Sequence, residues 1–351
     1  MLDYIVVGFG LSGLSFIEQL EKNDKSFLVF EDSSQKSSRV AGGLYNPVIL
    51  KRFTAAWNAK KQLQKAIPFY KNVQTKLNEQ LVLELPVLRR FNSVEEQNAW
   101  FEACTKPILE DFLDQELMYN SNEGLDIPFH YGRVHHTGRI DIKNMLSCYL
   151  NYLDKKDCLV NESFDHEQLI ITDNFVSYKG QEAKNILFSE GFGVQNNPFF
   201  KYLPLVGNKG EYLVISSPKL QLNEAVKSSI FIIPLGNNRY KIGATYNNQD
   251  TTSGVTLEAK EELLRKLERF LKVPYEIIDH VAGIRPTVRD RRPLVGTHPK
   301  HKKLHVLNGL GSRGILIGPT VAENLYDAIE NDTALDKEID IKRYDNFFSL
   351  L

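Results

Sequence analysis

The chain has 351 residues, of which 25% are charged and 42% are hydrophobic, and its formal net charge is −1. This length predicts two domains or one large α/β unit, and the small charge excludes a global field that would recruit nucleic acid or an anionic membrane. Three cysteines without paired spacing indicate a reducing compartment and argue against a disulfide framework. The apolar N-terminal run is too short to span a bilayer and lacks a basic leader, so we expect a cytoplasmic protein with no membrane partner.

A glycine motif near the N-terminus has the context of a dinucleotide-binding βαβ unit. Gly8, Gly10 and Gly13 follow a strand pattern and open the helical pattern of residues 11–20, and Glu31 ends the next apolar run. In such a unit the glycines allow a tight turn, close approach of a pyrophosphate and close helix packing, while the helix N-terminus holds the phosphate charge. The acid accepts hydrogen bonds from an adenosine ribose and would repel the 2′-phosphate of NADP. The motif predicts dinucleotide binding and leaves NAD and FAD open.

A second glycine-containing segment follows this motif. Ala41, Gly42 and Gly43 precede Pro47, and this composition predicts irregular backbone that can lie against a flat ligand. An ordinary surface turn is the alternative interpretation of the same residues.

Helices and short strands are predicted through the middle of the chain. Ser93 with Glu96 forms a capping box, and Asp141 is placed to cap a further helix. The three histidines between residues 130 and 136 lack the spacing of a metal site, so we predict no metal. The predicted helices are 55–81, 93–103, 107–118 and 141–153, and the predicted strands are 86–90, 159–164, 169–171, 176–178 and 186–188.

An alternating pattern then predicts an antiparallel sheet at residues 210–216, 229–235 and 239–246, with a hairpin turn at 236–238 and an amphipathic helix at 257–271. The fold class we expect is α/β, with a Rossmann-like nucleotide-binding domain and an inserted α+β substrate domain built on the antiparallel sheet. The predicted nucleotide-binding domain comprises residues 1–55, 130–205 and 280–351, and the predicted substrate domain comprises residues 56–129 and 206–279.

The C-terminal third contains a second glycine-rich turn that opens a helix. A short strand at 305–307 leads into residues 308–314, and an apolar helix with Pro319 inside it follows as far as residue 329. A helix N-terminus attracts negative charge, so this one can stabilise the anionic reduced ring of a flavin. An NAD enzyme has no need of this second site.

Together these motifs resemble the D-amino-acid oxidase and glycine oxidase superfamily of FAD-dependent oxidoreductases. The resemblance covers nearly the whole chain, including the segment Gly283-Ile284-Arg285-Pro286 with Asp290 after it. It implies that FAD is the cofactor and that Arg285 binds a substrate carboxylate. The residues that it implies for FAD binding are Gly8, Gly10, Gly13, Glu31, Ala41, Gly42, Gly43, Gly191, Gly311, Ser312, Arg313 and Gly314.

Two departures from the family pattern bear on the cofactor. Ser189-Glu190-Gly191-Phe192 stands where the family usually has Ala/Cys-Thr-Gly-Ala, at a segment that packs against the cofactor. In addition, no cysteine follows the Arg285 segment and no histidine stands beside residues 41–43. We therefore expect FAD to be bound non-covalently.

The reaction implied is oxidation of the C–N bond of a small amine next to a carboxylate, as in glycine, sarcosine or a D-amino acid, by hydride transfer to the flavin. Arg285 would pair bidentately with that carboxylate; a structural ion pair with Asp290 is the alternative. Tyr246 can offer a hydroxyl to the substrate, although such a tyrosine more often lies in a core or at a rim. Lys209, beside a predicted turn at 207–210, is a candidate for the charge near flavin N5 that governs reaction with oxygen.

Two other functions remain open. Residues 308–314 resemble the oxidase half of the bifunctional enzymes that make 5-methylaminomethyl-2-thiouridine in tRNA, which implies removal of a carboxymethyl group from a wobble-uridine amine. We expect the methyltransferase half to be absent, and tRNA to be a less favoured partner than a small amine. The basic residues between 289 and 303 form either a solvated surface or an RNA contact. The rival from another class is a flavin-binding protein without turnover or a plain NAD dehydrogenase.

Overall fold

The computed structural model describes residues 1–348. Two eight-stranded sheets dominate this part of the chain. The helices are α1 Leu11–Lys22, α2 Ser37–Val40, α3 Ala59–Leu77, α4 Val94–Cys104, α5 Ile142–Lys155, α6 Leu257–Leu267, α7 Gly314–Glu330 and α8 Asp345–Phe348. The strands are β1 Leu2–Val7, β2 Phe27–Phe30, β3 Leu44–Tyr45, β4 Val48–Ile49, β5 Thr54–Ala55, β6 Val82–Glu84, β7 Val87–Arg90, β8 Leu113–Met118, β9 Tyr131–Val134, β10 Gly138–Ile140, β11 Leu159–Val160, β12 Ile170–Ile171, β13 Val176–Tyr178, β14 Gln181–Phe188, β15 Leu205–Ser216, β16 Ala225–Lys227, β17 Phe231–Gly236, β18 Arg239–Gly243, β19 Glu276–Val288, β20 Leu294–Thr297 and β21 Leu304–Asn308.

The first sheet has the order β11-β2-β1-β14-β13-β12, with β21 on β14 and β20 on β21. Strand β1 pairs in parallel with β2 and β14, and β21 pairs in parallel with β14. The side chains of Tyr4 through Val7 are all buried, as a central parallel strand between covered faces requires. The predicted strand–helix–strand unit at the N-terminus and the predicted α/β class are confirmed.

The second sheet has the order β19-β15-β18-β17-β16-β7-β9-β8, and β16–β7 is its parallel pair. The predicted turn between β17 and β18 is confirmed, because Gly236, Asn237 and Asn238 all have positive φ, the conformation that a tight hairpin needs. One face of this sheet buries Leu213 and Ile215 against α6, which begins where the amphipathic pattern begins. Ser93 and Asp141 cap α4 and α5 as predicted.

The predicted helix at 107–118 is wrong. Residues 113–118 form β8, in which Leu113 and Leu117 lie opposite Val134 and Gly132 of β9. The carbonyl of Asp114 also accepts a hydrogen bond of 2.8 Å from the indole of Trp100. Pairing with a strand distant in sequence therefore overrides the local helical pattern.

The domain division stays a prediction, and several contacts cross its boundaries. β9 and the C-terminal part of β19 pair within the antiparallel sheet, although the division places them with the nucleotide-binding segments. Helix α3, which the division places in the substrate domain, forms ion pairs with α7 through Lys65 and Glu323 and with α1 through Lys76. Residues 349–351 lie outside the described residues. Within residues 1–348 no helix has the length and apolarity to cross a membrane.

Candidate active site

The N-terminal glycine turn is built from close backbone contacts. Gly8 has φ +92°, and a Cβ there would lie 2.8 Å from the carbonyl oxygen of Ser189. A Cβ at Gly13 would lie 2.3 Å from the carbonyl oxygen of Gly8, so α1 can approach β1 only with glycine at this position. The N–H of Leu11 at the start of α1 donates to Ser38 Oγ at 3.2 Å. The glycines thus allow the close backbone packing that the predicted phosphate-binding turn requires.

Glu31 lies at the end of β2 with 7% of its surface exposed. Its carboxylate accepts hydrogen bonds from the N–H of Phe9 at 2.6 Å and the N–H of Ser33 at 3.0 Å. Burial raises the pKa of Glu31, and these hydrogen bonds and the charge of Arg39, 3.6 Å away, oppose that rise. Nη2 of Arg39 is buried without a hydrogen-bond partner among the described residues. Buried donors are seldom left unpaired, so this corner suits a polar group such as a ribose.

A cavity of about 580 Å³ joins these elements to the antiparallel sheet. All of the predicted FAD-binding residues line it except Gly13 and Arg313. Gly13 has the packing role that the motif predicts. Gly191 and Gly311 have φ of +56° and +58°, and Asn308 Nδ2 donates to the carbonyl of Gly191 at 2.8 Å. The segments predicted from three distant parts of the chain therefore meet in one cavity.

The cavity fits FAD because two helix N-termini open on it. Gly10 and Leu11 at the start of α1 line it, and so do Ser312 and Gly314 at the start of α7. One helix N-terminus suits a pyrophosphate, and the other suits negative charge on a reduced flavin ring. When bound, FAD would be held by these backbone groups and by Glu31.

Arg313, a predicted FAD-binding residue, does not line the cavity, and its role toward FAD stays a prediction. Its guanidinium donates to the carbonyl oxygen of Asn46 at 2.8 Å. Burial lowers the pKa of Arg313. In the short turn that precedes α7, Ser312 lines the cavity, while Arg313 connects this turn to the segment after β3 through Asn46.

Arg285 lies in the cavity without an acidic partner. Its Nη1 donates to Asn208 Oδ1 at 2.7 Å and to the carbonyl of Thr245 at 3.4 Å, and its Cζ lies 4.6 Å from the ring centroid of Tyr246. The alternative ion pair with Asp290 is absent, because Asp290 pairs with Arg343 at 3.0 Å. Among residues 1–348, no carboxylate lies within ion-pair distance of Arg285.

Comparison with known proteins decides the family. The family model described as FAD dependent oxidoreductase, DAO, matches residues 3–328. The chain belongs to the DAO family. It is similar to glycine oxidase of Bacillus subtilis (strain 168), with 24% identity over 349 residues that cover 93% of this chain and 92% of that protein.

Two further comparisons describe the DAO-family fold and the tRNA resemblance. The crystal structure of glycine oxidase from Geobacillus kaustophilus superposes with a TM-score of 0.78 at 19% identity, covering 98% of this chain and 97% of that one. The bifunctional protein MnmC of Haemophilus ducreyi is 24% identical and matches 94% of this chain but only 56% of its own length. The predicted family, the FAD cofactor and the class of FAD-dependent amine oxidoreductase are confirmed.

The departure from the DAO-family pattern at residues 189–192 is accommodated by new contacts. Ser189 Oγ donates to the carbonyl of Gly8 at 2.7 Å, which ties the segment to the glycine turn. Glu190 accepts hydrogen bonds from Asn197 Nδ2 at 2.7 Å and pairs with His166 Nε2 at 2.8 Å. Both His166 and Glu190 line the cavity, and the sequence pattern did not single out either side chain.

Two lysines and a tyrosine have contacts that bear on the cavity. Lys241 Nζ donates to the carbonyls of Val40 and Ala41 at 2.7 and 3.1 Å, and burial lowers its pKa to about 8. Tyr246 lines the cavity beside Arg285. Residues 207–210 lie inside β15 and not in a turn, and Lys209 does not line the cavity. Its ammonium pairs with Asp250, so the structure does not bring it to the proposed flavin site.

Proposed function

We propose that this protein oxidises the C–N bond of a small amine that carries a carboxylate on the adjacent carbon, with non-covalently bound FAD as the oxidant. The observation that carries the proposal is that Arg285 lines the cavity as a cation and has only neutral hydrogen-bond partners. A partly buried guanidinium without a counter-ion is a strong site for a carboxylate. The name of the Bacillus subtilis relative, glycine oxidase, points to the same substrate class.

The surroundings of Arg285 restrict how a carboxylate can approach it. A Cβ built on Gly210 would lie 2.0, 2.3 and 2.3 Å from Nη2, Cζ and Nη1, and these similar distances place the guanidinium flat over Gly210. Asn208 occupies Nη1. One face is therefore covered. The N–H groups lie in the plane of the guanidinium, so a carboxylate that pairs with it bidentately approaches at its edge.

This fixed orientation is the contribution of the protein to the reaction. Holding the carboxylate at Arg285 limits the positions of the adjacent carbon and its amine, and such pre-alignment lowers the barrier. FAD, when bound, supplies the acceptor for the hydride and its two electrons that leave this carbon. The amine must be neutral when the C–H bond of the carbon that bears it breaks. The imine product hydrolyses in water to a carbonyl compound and an amine.

Non-covalent attachment of FAD is supported by the side chains that line the cavity. Among the described lining residues there is no cysteine, and the histidine present, His166, is paired with Glu190. We expect acid precipitation of the yellow protein to release all of the flavin into the supernatant. Flavin that stays with the denatured chain would contradict this part of the proposal.

Removal of a carboxymethyl group from tRNA stays the alternative prediction. The basic residues that could contact RNA lie in two groups: residues 289–292 precede β20 and residues 300–303 follow it, about 13 Å further along the strand. Arg292 also pairs with Glu338 at 2.9 Å.

Anaerobic reduction of the bound flavin tests both functions. The panel holds glycine, sarcosine, proline, D-amino acids and a tRNA with carboxymethylaminomethyl-uridine, and bleaching near the visible maximum is recorded for wild type and Arg285→Met. We expect bleaching by a free amino acid in wild type and its loss in the variant. Bleaching by the tRNA alone would replace the proposal with RNA modification. No bleaching of a flavin that dithionite reduces would refute both.

A further inference from the structure

Residues 245–256, which we call the strap, connect β18 to α6 and run along β15. The N–H of Thr245 donates to the carbonyl of Glu211 at 3.2 Å, and Asn247 and Lys209 exchange two backbone hydrogen bonds of 2.7 and 2.9 Å. Tyr246 therefore lies between two residues that are both fastened to β15. Its ring is 70% exposed and lies beside Arg285, so the strap and not a hydrophobic core determines its position.

A buried lysine fastens the middle of the strap. Side chains alternate along a strand, so Asn208 lies on the same face of β15 as the Arg285 site while Lys209 points to the opposite face. Lys209 has 1% of its surface exposed. Its Nζ lies 2.5 Å from Asp250 Oδ2 and 3.1 Å from Thr252 Oγ1, and both acceptors belong to the strap. A buried ammonium needs such partners, since an unpaired one is costly.

A buried carboxylate on the same face fastens the end of the strap. Glu211 has 2% of its surface exposed and accepts hydrogen bonds from both N–H and Oγ1 of Thr256 at 2.9 Å. Its Oε2 also lies 2.9 Å from His280 Nε2, and its Oε1 lies 3.6 Å from Lys209 Nζ. Lys209, Glu211 and Asp250 do not line the cavity, so the proposed reaction uses none of them directly.

We propose that the Lys209–Asp250 ion pair is a positioning device that holds the strap on β15 and thereby keeps Tyr246 against Arg285 in the arrangement that receives the substrate carboxylate. The inference rests on the proposed function of Arg285. Lys209 and Asp250 act through Tyr246 and through Asn208, whose Nδ2 also bonds to Asn248 of the strap. The site for the carboxylate is thus completed by a loop that an ion pair holds in place.

The charges indicate which substitution opens the strap without unfolding the sheet. Removing Asp250 leaves Lys209 beside Glu211, so no buried charge loses its last counter-ion. Removing Lys209 would leave the carboxylates of Glu211 and Asp250 without the ammonium that lies near both of them. Asp250→Ala is therefore the informative variant. Asp250→Glu keeps the charge and is the conservative rescue. Asp111→Ala removes a matched ion pair, with Lys60 at 2.7 Å, that lies on the exposed surface.

The test uses the FAD-loaded protein with acetate as the carboxylate probe, whose dissociation constant is read from perturbation of the visible flavin spectrum. We expect Asp250→Ala to weaken acetate binding by about fivefold or more, and Asp250→Glu and Asp111→Ala to bind acetate as wild type does. In turnover, Asp250→Ala is expected to raise KM for glycine while leaving kcat/KM for glycine methyl ester unchanged. A purely structural defect would lower kcat/KM for both substrates together.

Hydrogen exchange supplies a readout without any ligand. The amides of Asn247 and Thr256 are expected to exchange faster in Asp250→Ala and at the wild-type rate in Asp111→Ala. Unchanged exchange together with acetate affinity within twofold of wild type would overturn the inference. Arg285→Met separates the two proposals. If Arg285→Met abolishes acetate binding and Asp250→Ala does not weaken it, only the positioning role fails. If Arg285→Met leaves acetate binding intact, the proposed function itself fails.

Discussion

Replacing Gly210 with alanine is expected to displace Arg285 and leave the sheet folded. The three atoms nearest to the added Cβ all belong to the guanidinium, at 2.0 to 2.3 Å, and the backbone of Gly210 has no positive φ that an alanine would strain. An ordinary carbon contact is about 3.5 Å, so the guanidinium must move by about 1.5 Å. That shift breaks the 2.7 Å hydrogen bond to Asn208 and moves the carboxylate site out of alignment.

A misplacement of this size is expected to lower kcat/KM for a carboxylate amine by about 100-fold, or about 2.7 kcal/mol of transition-state stabilisation. The free energy of unfolding is expected to change by less than about 1 kcal/mol, because a flexible side-chain end gives way and alanine costs less entropy than glycine in a strand. Steady-state kinetics and thermal melting measure these two quantities, and the flavin content checks that the variant is loaded with FAD.

Gly254→Ala is the matched control for Gly210→Ala. A Cβ at Gly254 would meet nothing within 4 Å, so its kinetics are expected to match wild type. If Gly210→Ala keeps kcat/KM within threefold of wild type while remaining folded and fully loaded with flavin, the substrate carboxylate does not depend on the position of Arg285, and the central argument fails.

Three further variants test other parts of the site. Gly13→Ala forces a Cβ to within 2.3 Å of the carbonyl of Gly8 and is expected to destabilise the fold by about 1–3 kcal/mol with reduced FAD content; a fully loaded variant of wild-type stability would contradict the packing role. Lys241→Met tests how protonation of Lys241 affects stability, because burial lowers the pKa of Lys241 to about 8, below its unfolded value. The stability of wild type relative to the variant is expected to be flat below pH 8 and to rise by up to about 3 kcal/mol toward pH 10.5. A pH-independent difference in stability would refute this expectation. Arg313→Met leaves the carbonyl of Asn46 without its donor and is expected to cost about 1–3 kcal/mol of stability with an unchanged flavin spectrum, and a shifted spectrum would place Arg313 at the cofactor after all.

Local backbone requirements explain which predictions were confirmed. The hairpin turn at Gly236 and the N-cap at Ser93 depend on conformations that few residue types adopt, and each is satisfied by neighbours in sequence. The helix expected at 107–118 failed because residues 113–118 pair with β9, whose residues 131–134 lie outside the segment that carried the helical pattern.

The amino-acid sequence by itself indicated the dinucleotide-binding unit and the family, and it singled out Arg285 as the candidate for the substrate carboxylate. Only the tertiary structure decided that Arg285 pairs with Asn208 and not with Asp290, that Arg313 donates to the carbonyl of Asn46, and that Lys209 pairs with Asp250 outside the cavity. The reason is that a motif specifies the backbone it occupies, whereas the partner of a long charged side chain depends on which distant strands and loops pack against it.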